Sequence, residues 1–331
     1  MLPPVSVVWL NYNSMHLIDI TKKSLDSLMQ LDYPDLEIIL VDNNSSDGSR
    51  ETIETYLQSN HSKHKVRFFK LKRNWGSTGA NNIAYKQLSP KSKYLAMTHN
   101  DVVPNLDYLK KTVTFLEKHQ KVGALQGIVV KLGAESIVDS SGFMANESLF
   151  LWSNYNNNPA ANFSKPTYVS IVEGTMPVYN LELVRDSMKS NSELFITSGF
   201  LYYLEDTYVS LKLWANGYRC LVIPTITGVH YRMGTSKKTT KKGELFYYLL
   251  RNRTALLFMT NSNGKLGFVT QNLRKLIISN RTLDERRVIL VSLLDGLRMG
   301  YQLRKKYGCI GFYAAPFTRA SMKRRLFRWM H

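Results

Sequence analysis

The sequence feature that most constrains the fold is an alternation of short apolar runs with polar clusters. Val5–Leu10, Leu36–Val41 and Tyr94–Met97 each have the composition of a buried strand, and polar residues follow each run directly. Between the first two runs, from Met15 to Leu31, apolar residues recur at helical spacing. This strand–helix–strand order predicts an α/β fold with parallel strands and right-handed crossovers.

The polar clusters after these strands mark a candidate ligand site. They are Asn11-Tyr12-Asn13, Asp42 to Asp47, and His99-Asn100-Asp101. Because the carboxyl ends of parallel strands meet at one edge of a sheet, the three clusters together predict a crevice for a polar, phosphorylated ligand. For the third cluster alone, a polar turn in which Asp101 caps the next helix is the alternative.

A glycine-containing loop follows the third predicted strand, Val66–Leu71, and leads into a helix. Its spaced residues are Asn74, Gly76, Gly79 and Asn82. Backbone N–H groups of such a loop can approach a ligand closely, although an ordinary turn has the same spacing. Further on, residues 133–167 are rich in Asn, Ser, Ala and Gly, which predicts a long irregular insertion that covers or shapes a site.

Two more segments carry candidate chemistry. Glu205 and Asp206 begin a stretch of helical periodicity that Gly217 ends, so both carboxylates lie at a predicted helix N-terminus. They are either catalytic or simple first-turn acids. His230 follows the predicted strand Thr225–Val229 and is a candidate ligand or a structural histidine.

Positive charge is concentrated in the last third of the chain. Residues 231–331 hold 22 of the 44 Lys and Arg residues and only 4 of the 25 Asp and Glu residues, which accounts for nearly all of the net charge of +19. From Arg304 to His331 basic residues alternate with aromatic ones, a pattern that suits anionic lipid head groups or nucleic acid. Two cysteines and the absence of a signal segment or an apolar run of spanning length predict a cytosolic protein that lies on a membrane if it meets one.

The order of these motifs resembles the inverting nucleotide-sugar glycosyltransferases of family two, rhamnosyltransferase-like members above all. The resemblance covers residues 5–232 and includes Val41–Ser49 as the nucleotide-binding turn, Glu173-Gly174-Thr175 as the acceptor-side strand and Glu205-Asp206 as the acidic helix start. It implies a GT-A fold, which is α/β with a Rossmann-like, mostly parallel central sheet. The implied domains are a catalytic domain over 1–232, with a nucleotide-sugar half over 1–105 and an acceptor half over 106–232, and a basic helical region over 233–331.

The resemblance also implies roles for individual residues. Asp42 would contact the base or ribose of the nucleotide, with Tyr12 nearby. The full set of residues implied to bind the donor is Tyr12, Asp42, Asn43, Asn74, Gly79, Asn82 and Asn100. Asp101 would bind a divalent cation, with His230 completing the metal or phosphate contacts. The sequence departs from the family in having His99 where a first acidic residue is usual, which favours Mn²⁺ over Mg²⁺ because imidazole suits transition metals.

Asp206 would be the general base that activates an acceptor hydroxyl, with Glu205 as its rival. The implied reaction moves one sugar, with inversion, from a nucleotide-diphosphate sugar to a glycan or lipid-linked acceptor in cell-surface glycan assembly. The processive Gln-x-x-Arg-Trp motif is missing, so single transfer is expected rather than polymerisation. The alternatives are another nucleotidyl or sugar transferase and a catalytically silent protein that binds carbohydrate or nucleic acid.

The C-terminal third completes these expectations. The lysines of residues 237–242 are either a loop that closes over the donor or a solvated basic loop, and Leu245–Thr260 is predicted to be an amphipathic helix. We expect the basic tail to hold the protein on the cytoplasmic face of an anionic membrane, rather than on nucleic acid.

Overall fold

A computed structural model describes residues 2–153, 155–188, 193–195, 203–231, 242–278 and 282–318. The lysine-rich segment 232–241, Tyr202 and the tail 319–331 therefore lie outside the described residues. A ten-stranded mixed sheet forms the centre of the described part.

The first strands and helices alternate as the sequence predicts. Four strands lie side by side, parallel, in the order β4-β1-β2-β3. The elements of this half are β1 (Val5–Asn11), α1 (Ile18–Met29), β2 (Leu36–Asp42), α2 (Ser49–Ser59), β3 (Lys65–Lys70), α3 (Gly76–Tyr85) and β4 (Tyr94–His99).

Side chains of these strands pack on both faces of the sheet. In β1, Val8 and Leu10 belong to one buried cluster, whereas Val7 and Trp9 belong to a second cluster on the opposite face. Period-two alternation between two covered faces explains why the strand is apolar on both faces from Val7 to Leu10. Its buried polar residues are Ser6 and, at its end, Asn11.

The second half of the sheet contains antiparallel pairs. Strand β11 lies between β4 and β6 and is antiparallel to both, while β6 and β12 are parallel. The elements are β5 (Val102–Pro104), α4 (Tyr108–Lys118), β6 (Val122–Lys131), β7 (Ala134–Ser140), β8 (Met144–Ala145), β9 (Leu151–Trp152), β10 (Thr167–Tyr168), β11 (Val178–Asn180), α5 (Leu181–Met188), α6 (Glu205–Ala215) and β12 (Arg219–His230).

Three local predictions are wrong here. Residues 133–167 contain strands β7 to β10 rather than only irregular chain, because β7 folds back as a hairpin on β6. Glu173, Gly174 and Thr175 lie in a loop with a turn, not in a strand. The strand that ends at His230 begins at Arg219, and its pairing with β6 shifts register along its length.

Three helices follow: α7 (Lys242–Met259), α8 (Lys265–Ile278) and α9 (Leu283–Tyr307). The prediction of an amphipathic surface helix over Leu245–Thr260 is wrong for its second half, where Thr254 to Leu257 are all buried. Helix α9 packs closely on α7, since a Cβ added at Gly296 would lie 2.6 Å from the Arg251 carbonyl oxygen. Within the described ranges, no helix is long and apolar enough to cross a membrane.

After α9, residues 309–318 form a return segment that packs against earlier parts of the chain. Phe312 is fully buried, its N–H donates to Asn261 Oδ1 at 2.8 Å, and the N–H of Thr318 donates to the Ala145 carbonyl at 3.0 Å. Side chains from α7, α9 and this return segment belong to the same buried cluster as Val8 and Leu10. The domain boundary near residue 232 stays a prediction.

Candidate active site

A buried polar network joins the carboxyl ends of β1, β2 and β4. Asn11 at its centre donates from Nδ2 to Asp42 Oδ2 at 2.8 Å, and its Oδ1 accepts from Asn100 Nδ2 at 2.8 Å and from Ser14 Oγ at 2.6 Å. All four side chains are buried. The structure therefore brings the three predicted polar clusters together at one sheet edge, as the parallel order requires.

Asp42 lies beneath the surface of this edge rather than on it. It has no exposed surface, and its carboxylate accepts from the Ser45 N–H at 2.9 Å and the Ser45 hydroxyl at 2.6 Å. These bonds hold the turn in which Asn44 adopts a φ of 65°. In this arrangement Asp42 acts on a ligand through the turn, and its direct contact with a base or ribose stays a prediction.

Tyr12 lies on the loop after β1, half-buried, beside residues that tie this loop to the Asp42 turn. The N–H of Asn13 donates to Ser45 Oγ at 2.9 Å, and Asn13 Oδ1 accepts from the Ser46 N–H at 2.9 Å. Two of the predicted clusters thus form one connected loop structure, with Tyr12 between them.

Asn43 and Asn74 connect the Asp42 turn to the start of α3. Asn43 Nδ2 donates to Asn74 Oδ1 at 2.9 Å, and its Oδ1 accepts from the Trp75 N–H at 2.9 Å. Gly79 lies inside α3 rather than in a loop, where an added Cβ would approach Trp75 Cβ to 2.8 Å. The closeness of Trp75 therefore explains why position 79 needs a glycine. The Trp75 ring itself is exposed, and the Arg73 guanidinium carbon lies 3.5 Å from its centroid.

The side-chain amide of Asn82 bonds backbone groups within the fold, and its contact with a donor stays a prediction. Its Oδ1 accepts from the N–H groups of Leu194 and Phe195 at 3.0 and 2.9 Å, and its Nδ2 donates to the Phe195 carbonyl at 2.7 Å. The side chain is buried, and the backbone of these two residues occupies its amide. Asn82 therefore holds a structural segment against α3.

Asp101, His230 and Asp139 form a row in which Asp139 is buried and the other two side chains are partly buried. His230 Nε2 lies 3.5 Å from Asp101 Oδ2, and His230 Nδ1 lies 2.6 Å from Asp139 Oδ2. Strand β5 pairs with the end of β12, and the Tyr231 N–H donates to the Asp101 carbonyl at 2.8 Å, which fixes the two metal candidates side by side. The structure thus brings Asp101 and His230 together.

The two carboxylates determine the ionisation of this row. Burial alone lowers the pKa of His230, but hydrogen bonds and charges from Asp101 and Asp139 outweigh it and raise that pKa to about 9. Burial raises the pKa of Asp101, yet the neighbouring His230 brings it below its ordinary value. Burial lowers the pKa of His99, whose Nε2 lies 3.2 Å from the Gly174 carbonyl oxygen.

The donor set of Asp101 and His230 fits a divalent cation in its chemistry. One carboxylate oxygen and one imidazole nitrogen face each other, and the second ring nitrogen of His230 is held by Asp139, as is usual for metal-ligating histidines. Among the described residues, however, no group of three or more His, Cys, Asp or Glu side chains is arranged to hold a metal. A substrate oxygen or solvent would have to complete the coordination, as is common for Mg²⁺ and Mn²⁺ sites.

Gly174 links His99, at the end of β4, to the acidic start of α6. Its carbonyl faces His99, and its N–H donates to Asp206 Oδ2 at 3.1 Å. Asp206 Oδ1 also accepts from the N–H of Thr207 at 2.6 Å, and burial raises the pKa of Asp206 above its ordinary value. One turn therefore places the candidate base next to the end of β4.

Glu205 has the less satisfied carboxylate of the two. Oε1 accepts from Ser77 Oγ at 3.0 Å, while Oε2 is buried with no hydrogen-bond partner in the described part of the chain. Burial, together with the charge of Asp206, raises the pKa of Glu205 to about 7. A carboxyl group with this pKa can accept or donate a proton near neutral pH.

Sequence reasoning missed Asp139 and Ser77. Asp139 lies on β7, whose hairpin with β6 brings it to His230 on β12, on the other side of β6 in the sheet. Ser77 reaches Glu205 across 128 residues of sequence. Neither has a motif or a spacing that marks it, because both contacts depend on tertiary packing alone.

Comparison with known proteins assigns the first half of this fold. A family model described as "Glycosyl transferase family 2" matches residues 6–187. The chain is 28% identical over 123 residues to an uncharacterized glycosyltransferase of Haemophilus influenzae, across 37% of this chain and 36% of that protein. It is 30% identical over 116 residues to the poly-beta-1,6-N-acetyl-D-glucosamine synthase of Staphylococcus epidermidis, across 35% of this chain and 26% of that synthase.

A third relative is the putative teichuronic acid biosynthesis glycosyltransferase TuaG of Bacillus subtilis, with 30% identity over 114 residues, 34% of this chain and 42% of the relative. The matches thus span less than half of the length of these relatives.

Solved structures resemble the whole described fold. S. aureus TarS residues 1–349 superpose with a TM-score of 0.54 at 19% identity, covering 89% of this chain and 80% of that one. GalNAc-T7 has a TM-score of 0.66 at 15% identity, covering 94% of this chain and 56% of that one. These likenesses confirm the predicted GT-A fold with its helical C-terminal part.

Proposed function

The chain belongs to glycosyl transferase family 2, and on that premise we propose that it transfers a single sugar, with inversion, from a nucleotide-diphosphate sugar to a hydroxyl acceptor. One observation carries the proposal: the Gly174 carbonyl lies 3.2 Å from His99 Nε2, whose ring neighbours Asp101 and His230, and the Gly174 N–H donates to Asp206 at the acidic start of α6. A transferase of this kind needs a group that neutralises the leaving diphosphate and a base that activates the acceptor.

The donor would bind at the edge formed by the ends of β1, β2 and β4. The Asn11 network holds the loops rigidly from below, while Tyr12 and Trp75 lie on loops at this edge with partly or largely exposed rings. Among the fold neighbours, one TarS structure contains UDP-GlcNAc and the GalNAc-T7 structure contains UDP. These ligands support a uridine diphosphate sugar as the first donor to test.

A divalent cation would be held by Asp101 and His230, with Asp139 orienting the imidazole. When bound, it would supply electrostatic stabilisation of the leaving diphosphate. The GalNAc-T7 structure contains Mn²⁺, and a mixed oxygen–nitrogen donor pair suits Mn²⁺ better than Mg²⁺. The chain's own contribution is a preformed pair whose geometry the β5–β12 ladder fixes.

Asp206 is the proposed general base, and Glu205 its rival. Asp206 is tied by Gly174 and Thr207, so its position is fixed, whereas Glu205 keeps one oxygen without a partner and has a pKa of about 7. The base would take the acceptor proton while the hydroxyl attacks the anomeric carbon from the face opposite the diphosphate. That direct displacement is the reason for proposing inversion.

The acceptor and the cellular site are further parts of the proposal. Two relatives are named for poly-N-acetylglucosamine synthesis and teichuronic acid biosynthesis, which supports a role in polysaccharide assembly and a glycan or lipid-linked acceptor. The charge of residues 231–331 supports a peripheral position on the cytoplasmic face of an anionic membrane.

Calorimetric titration with UDP, GDP and dTDP, each with Mn²⁺ and with EDTA, tests donor binding. We expect one nucleotide to bind, more tightly with Mn²⁺, and Asp101→Asn to remove the metal-dependent part. The matched control is Asp107→Asn, a half-buried aspartate in the segment after β5 that pairs with Lys111. Absence of binding by every nucleotide would overturn the transferase proposal and favour a silent carbohydrate-binding protein.

The base assignment is tested with Asp206→Asn and Glu205→Gln. We expect Asp206→Asn to lower the transfer rate by about 10²–10⁴-fold, the usual contribution of a general base, with nucleotide affinity unchanged. Glu205→Gln should retain more activity than Asp206→Asn. If the order of the two variants is reversed, Glu205 is the base.

A further inference from the structure

An exposed apolar row runs along the outer face of α9. Its members are large side chains at positions i, i+7, i+11 and i+18, which a helix of 3.6 residues per turn places on one face. They are Leu283, Leu290, Leu294 and Tyr301. Leu283 is 83% exposed and Tyr301 is 74% exposed, so the row is not covered by the rest of the described fold.

A basic row lies directly beside it. Arg287, Arg298 and Lys305 are exposed, and each follows a member of the apolar row by four residues, one helical turn further on. The opposite face of α9 is the buried one, where Gly296 and Gly300 pack against α7. Apolar and basic rows thus share the solvent side of a helix that is fixed by its other side.

The acidic residues of α9 leave this face basic. Glu285 is used in a capping box with Thr282, and Asp295 faces α7, where it accepts a hydrogen bond from the Tyr247 hydroxyl at 2.8 Å. Asp284 lies in the first turn. Helix α8 repeats the apolar spacing, with Leu266, Leu273 and Ile277 exposed at i, i+7 and i+11.

We propose that this face of α9 docks on the surface of an anionic lipid bilayer. Leucine and tyrosine side chains would enter the boundary between head groups and acyl chains, and the arginine and lysine row would lie among the lipid phosphates. Such a surface lies on the membrane and does not cross it, which agrees with the lack of a spanning helix among the described ones.

Charge decides against two other occupants, and the apolar row decides against a third. The chain's own tail, residues 319–331, has five Lys and Arg residues and no acidic residue, so it would be repelled by the basic row. A second copy of the chain packed face to face would bring two basic rows together. Nucleic acid would satisfy the basic row but offers no apolar interior to the leucines.

None of the residues in these rows belongs to the proposed active site. Vesicle sedimentation of the full chain tests the docking proposal, with phosphatidylglycerol–phosphatidylcholine vesicles compared with pure phosphatidylcholine. We expect binding to the anionic vesicles, and at least about tenfold weaker binding for Leu294→Glu, since a carboxylate at this position meets both the acyl boundary and the phosphates. Arg298→Gln should weaken anionic binding about fivefold, the share of one basic residue.

The matched control is Leu106→Glu, because Leu106 is 51% exposed and Leu294 is 48% exposed. It should bind vesicles like the unchanged chain, and UDP affinity should be the same in all variants. Failure of the unchanged chain to bind anionic vesicles would overturn the proposal, as would unaltered binding by Leu294→Glu, which would place the anchor in the tail. A dimer in sedimentation velocity that Leu294→Glu dissociates, without vesicle binding, would instead make this face an interface between copies.

Discussion

At the scale of single residues, the carboxyl group of Glu205 gives a pH-dependent prediction. Its pKa of about 7 in the folded chain lies above the ordinary value of 4.5, so the folded state keeps a proton that the unfolded state has released. The free energy of unfolding therefore falls as pH rises through this window. The glutamine of Glu205→Gln cannot ionise. Between pH 5 and pH 8 the free energy of unfolding of this variant should therefore fall by on the order of 1–3 kcal/mol less than that of the unchanged chain.

Urea denaturation at the two pH values measures this difference. Glu182→Gln is the control, because Glu182 is also a first-turn glutamate, in α5, but is exposed. It should leave the pH dependence unchanged. Equal pH dependence in Glu205→Gln and the unchanged chain would show that Glu205 is not protonated in the folded state.

Asp139 gives a second residue-scale prediction, about metal binding. Because Asp139 holds Nδ1 of His230 at 2.6 Å, its replacement by Asn removes the charge that orients the imidazole. We expect Asp139→Asn to weaken Mn²⁺ binding by about 10–100-fold, measured as free Mn²⁺ by electron paramagnetic resonance in the presence of UDP. The control is Asp26→Asn, because the Asp26 carboxylate lies on α1, outside this row, and accepts a hydrogen bond from the Tyr56 hydroxyl on α2. Unchanged Mn²⁺ affinity would exclude the orienting role.

These residues show what the sequence could and could not predict about the site. Asp101, Glu205 and Asp206 follow strand and helix signals closely, so their placement at the sheet edge was predictable. Asn82 has the same kind of spacing, yet its amide is used by the backbone of Leu194 and Phe195, more than 100 residues away. A local pattern identifies a residue near a site, but only packing decides whether its side chain faces the site or the core.

At the scale of secondary-structure elements, the contact of α9 with α7 depends on two glycines. A Cβ on Gly296 would lie 2.5 Å from Thr254 Cβ and 2.6 Å from the Arg251 carbonyl, and backbone atoms cannot move aside cheaply. We expect Gly296→Ala to lower the free energy of unfolding by about 1–3 kcal/mol, measured by urea denaturation. Gly267→Ala, at a position of α8 with open space, should raise it by about 0.5–1 kcal/mol. Equal effects of the two substitutions would contradict the close packing.

The elements also show why prediction was uneven along the chain. Strands β1, β2 and β4 are predominantly apolar and have adjacent parallel partners, so composition and order were sufficient to place them. The amphipathic prediction for Leu245–Thr260 failed because α7 is covered by α9 along its second half, and a helix buried on several sides has no polar face to detect. Strand β7 was not predicted because it is defined by its pairing with β6, which no local sequence pattern indicates.

At the scale of the whole molecule, the chain closes on itself through residues 309–318. Ile310 and Phe312 are buried, Asn261 accepts from the Phe312 N–H, and the Ser170 hydroxyl donates to the Pro316 carbonyl. These contacts tie the chain after α9 back to the first half of the fold, so α9 is anchored at its C-terminal end. Basic charge in this third therefore belongs to a structured surface as well as to the tail.

This closure predicts different results for two truncations. A chain that ends at Thr318 keeps every contact described above and should melt within a few degrees of the full chain. A chain that ends at Gly308 exposes the side chains that Ile310 and Phe312 cover. Its free energy of unfolding should be lower by about 3–6 kcal/mol, because burial of each large apolar side chain stabilises a fold by about 1.5–3 kcal/mol. Thermal unfolding followed by circular dichroism measures both. Equal melting temperatures would mean that residues 309–318 contribute nothing to the stability of the fold. The expected difference would show that the last third of the chain stabilises the catalytic fold.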